Sequence, residues 1–305
     1  MDKTQIAAQK PRKCKETFAD SVFNVINAII MSLVCVCIAY PLYFVLAASF
    51  TDPNIVNQGR VLLYPVNLFL GGYERILQYP PLWSGYKNTI IYTAAGSIVS
   101  ISVTVPAAYA LSRRDMAGRR ILMFIFTFTM FFSGGIIPLY LVIQKLRIYN
   151  TIWAIVLPGA VSIYNLIVCR TYFDTSIPRE LLEASRLDGC TDFGFFFRIV
   201  LPVSSTIIAV MILFYATAIW NQFMNALMFL ADQENMPLQV IMRNLILINQ
   251  ARAMTNDPGE MMMRQKLAEQ LKYAVIVVSA APLLMVYPFL QKYFAKGVMI
   301  GAVKG

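Results

Sequence analysis

Six apolar runs dominate this chain, at residues 22–50, 89–111, 121–143, 151–169, 201–230 and 273–290, and none of them contains Asp, Glu, Lys or Arg. About 20 mainly apolar residues carry an α-helix across the hydrocarbon core of a bilayer. Only 14% of the 305 residues are charged, against about a quarter in soluble domains, so a water-facing surface cannot be clothed. The expectation is an all-α integral membrane protein with six transmembrane helices. Pro41, Pro106, Pro138, Pro158 and Pro282 fall inside the runs. Membrane helices tolerate proline where neighbours repair the lost hydrogen bonds, so kinks are expected.

Basic residues set the orientation. Lys3, Lys10, Arg12, Lys13 and Lys15 precede the first run, and the short connector 112–120 holds Arg113, Arg114, Arg119 and Arg120. Because Lys and Arg in short loops stay on the cytoplasmic side, the chain reads as N-in and C-in. Residues 1–21 are then a cytoplasmic tail, 22–294 the six-helix domain and 295–305 a second cytoplasmic tail. The first run is too long for the apolar core of a cleaved signal peptide, about 7–15 residues. The net charge of +10 follows from these cytoplasmic residues and argues for no nucleic-acid partner. Two segments on the other side, 51–88 and 231–272, are long enough to carry structure. In the second, Leu238, Ile241, Met242, Leu245 and Ile248 recur at helical spacing, which predicts an amphipathic helix on the membrane or on a partner.

What the chain lacks narrows its chemistry. The runs hold no carboxylate and the chain holds no His, so a proton relay has no side chains to run on. A sodium site built from backbone carbonyls stays open. The dipeptide Gly-Lys occurs nowhere, which removes a phosphate-binding loop of the Gly-Lys-Ser/Thr kind. No acid–base pair or activated nucleophile is evident, so no catalytic residue is expected. Cys35 and Cys37 stand two apart on a helix and do not share a face, which argues against a metal pair. Cysteines here read as small packing residues. The chain is expected to bind no cofactor and to draw its energy from elsewhere.

The polar segment 175–202 stands apart from all this. Pro178 suits a first helical turn and Gly189 the left-handed residue just past a helix end. Between them Arg179, Glu183 and Arg186 fall within about one sixth of the helix circumference, with Leu181, Ala184 and Ser185 opposite. A second short helix can start after Thr191 and present Phe193, Phe196 and Phe197 before Pro202 opens the next run. On the residues alone, this elbow is either a docking surface with an outward charged stripe or an ordinary amphipathic connector.

Glu183-Ala184-Ser185, then Asp188-Gly189, then Ile199-Val200-Leu201-Pro202 resembles the EAA loop of bacterial binding-protein-dependent ABC importers of type I. Further stretches resemble the carbohydrate permeases of the LplC/YtcP-like group, relatives of the second maltose permease. These include Phe131-Phe132-Ser133-Gly134-Gly135, Leu157-Pro158-Gly159-Ala160, Trp220-Asn221, Pro237-Leu238-Gln239 and the ending from Lys296 to Gly305. Ser185 stands where the motif has a second Ala, and Thr206 where many relatives have a second Pro. The resemblance implies a multi-pass permease of the bacterial cell membrane, importing a sugar, and more specifically an oligosaccharide. It also implies the partners: a second permease, usually a different chain, a cytoplasmic ATPase dimer that holds the ATP and magnesium, and an extracytoplasmic solute-binding protein. Within the loop, Arg179, Glu183, Ala184, Ser185, Arg186, Asp188 and Gly189 would form the coupling helix that sits in a cleft of the ATPase. A permease for another polar solute such as a peptide, or a membrane scaffold, are the alternatives.

A sugar presents C–H faces and hydroxyls, so its path suits aromatic rings and amides. Tyr164, Asn165, Tyr215, Trp220 and Asn221 are the candidates. Interfacial anchoring and helix–helix hydrogen bonding are the other roles open to such residues.

Overall fold

The computed structural model describes residues 17–59, 64–252 and 258–302. The basic tail with Cys14, and the last three residues, lie outside the described residues. In chain order the helices are α1 (Phe18–Phe50), α2 (Pro53–Asn57), α3 (Gly71–Leu77), α4 (Pro81–Ser112), α5 (Arg119–Phe131), α6 (Ile136–Lys145), α7 (Ile152–Val156) and α8 (Ile163–Ser176). There follow α9 (Arg179–Leu187), α10 (Asp192–Phe195), a π-helical turn (Phe196–Val200), α11 (Leu201–Val203), α12 (Ser205–Trp220), α13 (Met224–Phe229), α14 (Leu238–Arg252) and α15 (Pro258–Ala302). Among the described residues the only β pairing is a lone antiparallel bridge between Thr51 and Leu68. The all-α expectation holds.

α1, α4 and residues 260–285 of α15 are each long and apolar enough to cross a membrane as single helices. The other runs depart from the one-run-one-helix expectation. Run 121–143 divides into α5 and α6, which meet at 112°. The break sits at Gly135, whose φ of +80° and ψ of −179° belong to a region that side chains rarely enter. Pro138 then falls in the first turn of α6, where a missing N–H costs nothing.

Run 151–169 splits as well. α7 ends before Pro158, which cannot donate to continue the ladder, and α8 restarts where Ser162 Oγ accepts from the Asn165 N–H at 3.4 Å. α8 runs on beyond the apolar stretch to Ser176. Run 201–230 ends its main helix at Trp220, with Met224–Phe229 a separate short helix.

α4 lies at the centre and packs on α8, α12 and α14. Gly96, Ser100, Thr104 and Ala108 recur every fourth residue and are all buried, a stripe of small side chains that lets helix backbones approach. Around its C-terminal half a cluster forms from Tyr109, Leu166, Phe173, Phe195, Phe196 and Met211. A second cluster, including Ile76, Leu82, Trp220, Leu271 and Ala274, occupies the other end.

α14 contributes its apolar face to this second cluster: Leu238, Ile241, Met242 and Leu245 are all buried. The amphipathic helix therefore exists, but it covers α4 and α15 of its own chain rather than the membrane or a partner. Gln270, fully buried, ties α15 to the same end. Its Oε1 accepts from the Gly72 N–H at 2.6 Å, and its Nε2 donates to the carbonyls of Ser49 and Phe69. The most apolar stretch of α1, by contrast, is wholly unburied. Cys35 and Cys37 are exposed on it, whereas Cys169 is buried in the first of the two clusters and Cys190 packs partly buried against it.

Candidate functional site: the elbow between α8 and α12

α8 ends with the Ile177 N–H on the Phe173 carbonyl, after which Ile177 and Pro178 are extended. Pro178 is the N-cap of α9, one position earlier than the sequence pattern suggests. At the other end the Cys190 N–H donates to the Ser185 carbonyl at 2.9 Å and the Gly189 N–H to the Arg186 carbonyl at 3.1 Å. That pair of bonds is a Schellman C-cap, and it requires the φ of +75° found at Gly189. Thr191 then caps α10, its Oγ1 accepting from the Gly194 N–H at 3.1 Å. The framed helix, left-handed glycine and second helix are all where the sequence places them.

The faces of α9 differ from the expectation. Ser185, only 5% exposed, points into the fold with Leu182 beside it, and its hydroxyl donates to the Leu182 carbonyl. Leu181 and Ala184, expected on that inner side, are exposed instead. Arg186 does not join an outward stripe. It turns back toward the domain, with Nη2 3.4 Å from Asp192 Oδ1 and 3.5 Å from Asp115 Oδ2. What faces outward is Glu180, Glu183, Ala184 and Leu187, and Leu187 at 89% is the most exposed large apolar side chain among the described residues. Of the three phenylalanines, Phe193 and Phe197 are exposed, whereas Phe196 is buried against Tyr109 with ring centroids 5.0 Å apart.

Sequence reasoning missed the groups that hold this elbow. Arg113 donates to both Asp115 oxygens, at 2.9 and 2.5 Å, and to Asp192 Oδ1 at 2.9 Å. The hydrogen bond from Arg113 holds the Asp115 carboxyl down at about 2. The end of α4 is braced nearby, because Arg170 Nε donates to the Leu111 carbonyl at 3.0 Å and Arg119 to the Ser112 carbonyl at 3.1 Å. Between the connector and α9 lies a cleft of ≈ 210 Å³, bordered by Arg113, Asp115, Asp174, Arg179, Glu183 and Arg186. In the sequence, the connector's arginines carried only the orientation.

The five substrate-path candidates differ in burial and in partners, and Ser162 joins two of them, Asn165 and Tyr215. Tyr215 is buried, with its hydroxyl 2.6 Å from Thr104 Oγ1 and accepting from the Ser162 N–H at 3.1 Å. Trp220 is buried and donates from Nε1 to the Ser279 carbonyl at 3.2 Å. Asn165 is buried too, while Tyr164 and Asn221 are exposed. Trp220 borders a cleft of ≈ 610 Å³ between α4, α12 and α15.

An amphipathic elbow, rigidly capped and standing on a helical membrane domain, has the form of a docking piece. Residues 81–300 match the family described as binding-protein-dependent transport system inner membrane component. This chain belongs to that family. It is therefore an inner-membrane permease component of an ABC transporter. The polygalacturonan/rhamnogalacturonan transport system permease protein YtcP of Bacillus subtilis is 40% identical over 278 residues, covering 91% of this chain and 95% of YtcP. The protein LplC of the same organism is 39% identical over 290 residues, covering 95% of this permease and 97% of LplC. A solved bacterial ABC transporter involved in import of the acidic polysaccharide alginate contains a chain with the same fold, at a TM-score of 0.78 and 33% identity. The match spans 92% of this permease and 99% of that chain.

Proposed function

We propose that this permease forms half of the translocation path for a carbohydrate, an oligosaccharide delivered by an extracytoplasmic solute-binding protein. Its similarity along nearly its whole length to YtcP, whose name assigns it polygalacturonan and rhamnogalacturonan transport, carries this reading. The other half of the path is a second permease subunit. The energy comes from a cytoplasmic ATPase pair that binds the ATP and magnesium, and α9 with Gly189 is the coupling helix seated on it. This places connector 112–120, the elbow and both termini in the cytoplasm, in keeping with the four arginines of that connector. Glu183 and Leu187 are exposed on the outer side of α9, as a docking contact needs. Tyr164 and Asn221, also exposed, are the sugar-path candidates whose side chains are open to a partner or solute.

The test is reconstitution of the complete complex in liposomes with its binding protein. Oligogalacturonides presented by that protein should accelerate ATP hydrolysis and accumulate inside, while peptides should do neither. Stimulation by peptides alone would overturn the carbohydrate reading. Failure to recover any ATPase with the chain would overturn its role in ATP-driven transport.

A further inference from the structure

Four charged side chains from three segments close a ring beneath the elbow. Arg113 is the C-cap of α4, Asp115 lies two residues on in the connector, Arg186 sits in the last turn of α9, and Asp192 opens α10. Two arginines face two carboxylates, so the ring is neutral and needs no outside partner. Arg113 is its hub: its side chain is 16% exposed and it grips both acids at 2.5–2.9 Å. Arg186 approaches the same two acids at 3.4 and 3.5 Å, which joins α9 to the ring.

We propose that this ring is a positioning device that carries movements of α9 to α4, so that the elbow drives two helices rather than one. The inference rests on the coupling role given to α9 above. One route from the elbow is covalent, through α10, the π-helical turn and α11 into α12. That route meets α4 through apolar packing, where Phe196 lies against Tyr109 with ring centroids 5.0 Å apart. The inward side chains of α9 are Leu182, which packs on the apolar cluster that includes Tyr109 and Leu111 of α4, and Ser185. The ring adds a polar tie to that packing, at the end of α4 that Arg119 and Arg170 already brace. A displacement delivered to a braced helix end moves the whole helix, and α4 borders α8, α12 and α14. The ring therefore places α4 and α12 under one input.

The test uses the complete reconstituted complex carrying Asp192→Asn, Asp115→Asn or Arg113→Gln, with Asp192→Glu as the charge-conserving control. Asp192→Asn leaves the Thr191 cap in place and removes charge alone, so folding is not at stake. Three quantities are read: ATPase recovered with the permease, basal ATP hydrolysis, and solute imported per ATP. The neutral variants should import about fivefold less solute per ATP, a modest coupling loss, with ATPase recovery and basal hydrolysis unchanged. Asp192→Glu should stay near wild type. Wild-type import per ATP in both Asp192→Asn and Arg113→Gln would overturn the proposal. So would equal losses in Asp192→Asn and Asp192→Glu, which would make shape rather than charge the cause. Loss of ATPase recovery in the neutral variants would make the ring part of the docking contact and overturn its positioning role. A wild-type chain that recruits no ATPase overturns the permease reading, and the ring proposal with it.

Discussion

Substitution of Gly189 separates backbone conformation from packing, because its surroundings are open. A Cβ built at this position meets nothing within 4 Å, while φ is +75°. Any penalty in this chain is therefore conformational. An L-residue held in the left-handed region costs about 1–2 kcal/mol, with Asn tolerated better than most. Escaping that strain would break the two Schellman bonds at Cys190 and Gly189, each worth about 0.5–1.5 kcal/mol net. The two routes cost similar amounts, and 1–2 kcal/mol shifts an equilibrium by a factor of about 5–30. Uptake by complexes carrying Asn, Ala and Val at this position should fall in that order, with Val worst because β-branching adds to the strain. Membrane-domain yield should be the same for all three, since no core contact changes. A Val variant as active as wild type would refute the reasoning. So would an Asn variant as damaged as Val, which would show that a partner surface fills the open space and that size, not φ, decides.

Further outcomes follow from the same geometry. Tyr215→Phe removes the hydroxyl shared by Thr104 and the Ser162 N–H, and should lower the melting temperature of the detergent-solubilised chain by an amount equivalent to about 1–3 kcal/mol. A changed solute KM with unchanged melting would instead make it a path residue. Glu183→Ala should weaken ATPase recovery by about 2–5 kcal/mol if the pair it makes is desolvated on docking, whereas Glu180→Ala, about 60° away around α9, should cost about 0–1 kcal/mol. Equal effects would remove Glu183 from its special place. Asp115 has its carboxyl lowered from 3.8 to about 2, so the stability it contributes is fully present above its unfolded value and is lost as pH falls through the folded one. Import per ATP should therefore show no titration from this group down to about pH 5, and a ring-dependent transition there, absent in Asp115→Asn, would contradict the geometry.

How much could be read from sequence depends on how local the cause is. α9, its left-handed glycine and the Thr191 cap were legible because each is settled by residues within one turn of itself. α14 was legible as a helix for the same reason, yet its partner was not: period alone says that Leu238, Ile241, Met242 and Leu245 share a face, not what covers it. The breaks at Gly135 and Pro158 were marked by residue type, but apolar composition reads smoothly across them, so hydropathy merges pieces that backbone geometry separates. Tyr215 and Trp220 looked like sugar contacts because amphipathic rings suit both jobs. Here their polar atoms meet Thr104, Ser162 and Ser279 of the same chain.

The ring shows where sequence reasoning runs out most sharply. Arg113 and Asp192 are 79 residues apart, and each alone reads as a solvated charge near a helix end. Their pairing changes what the family motif implies. A coupling helix joined only to α12 would act as a lever on a single helix, and α4 could respond only through side-chain packing. With Arg113 held by Asp192, the elbow and the end of α4 form one body. The small-residue stripe on α4, built from Gly96, Ser100, Thr104 and Ala108, holds α4 close to its neighbours, and Thr104 Oγ1 lies 2.6 Å from the Tyr215 hydroxyl of α12. Small contacting side chains let helix backbones approach closely, so that a displacement of one helix bears directly on the next. The same four residues that let α4 sit at the centre of the fold thus also suit it to transmit a displacement that begins at the elbow.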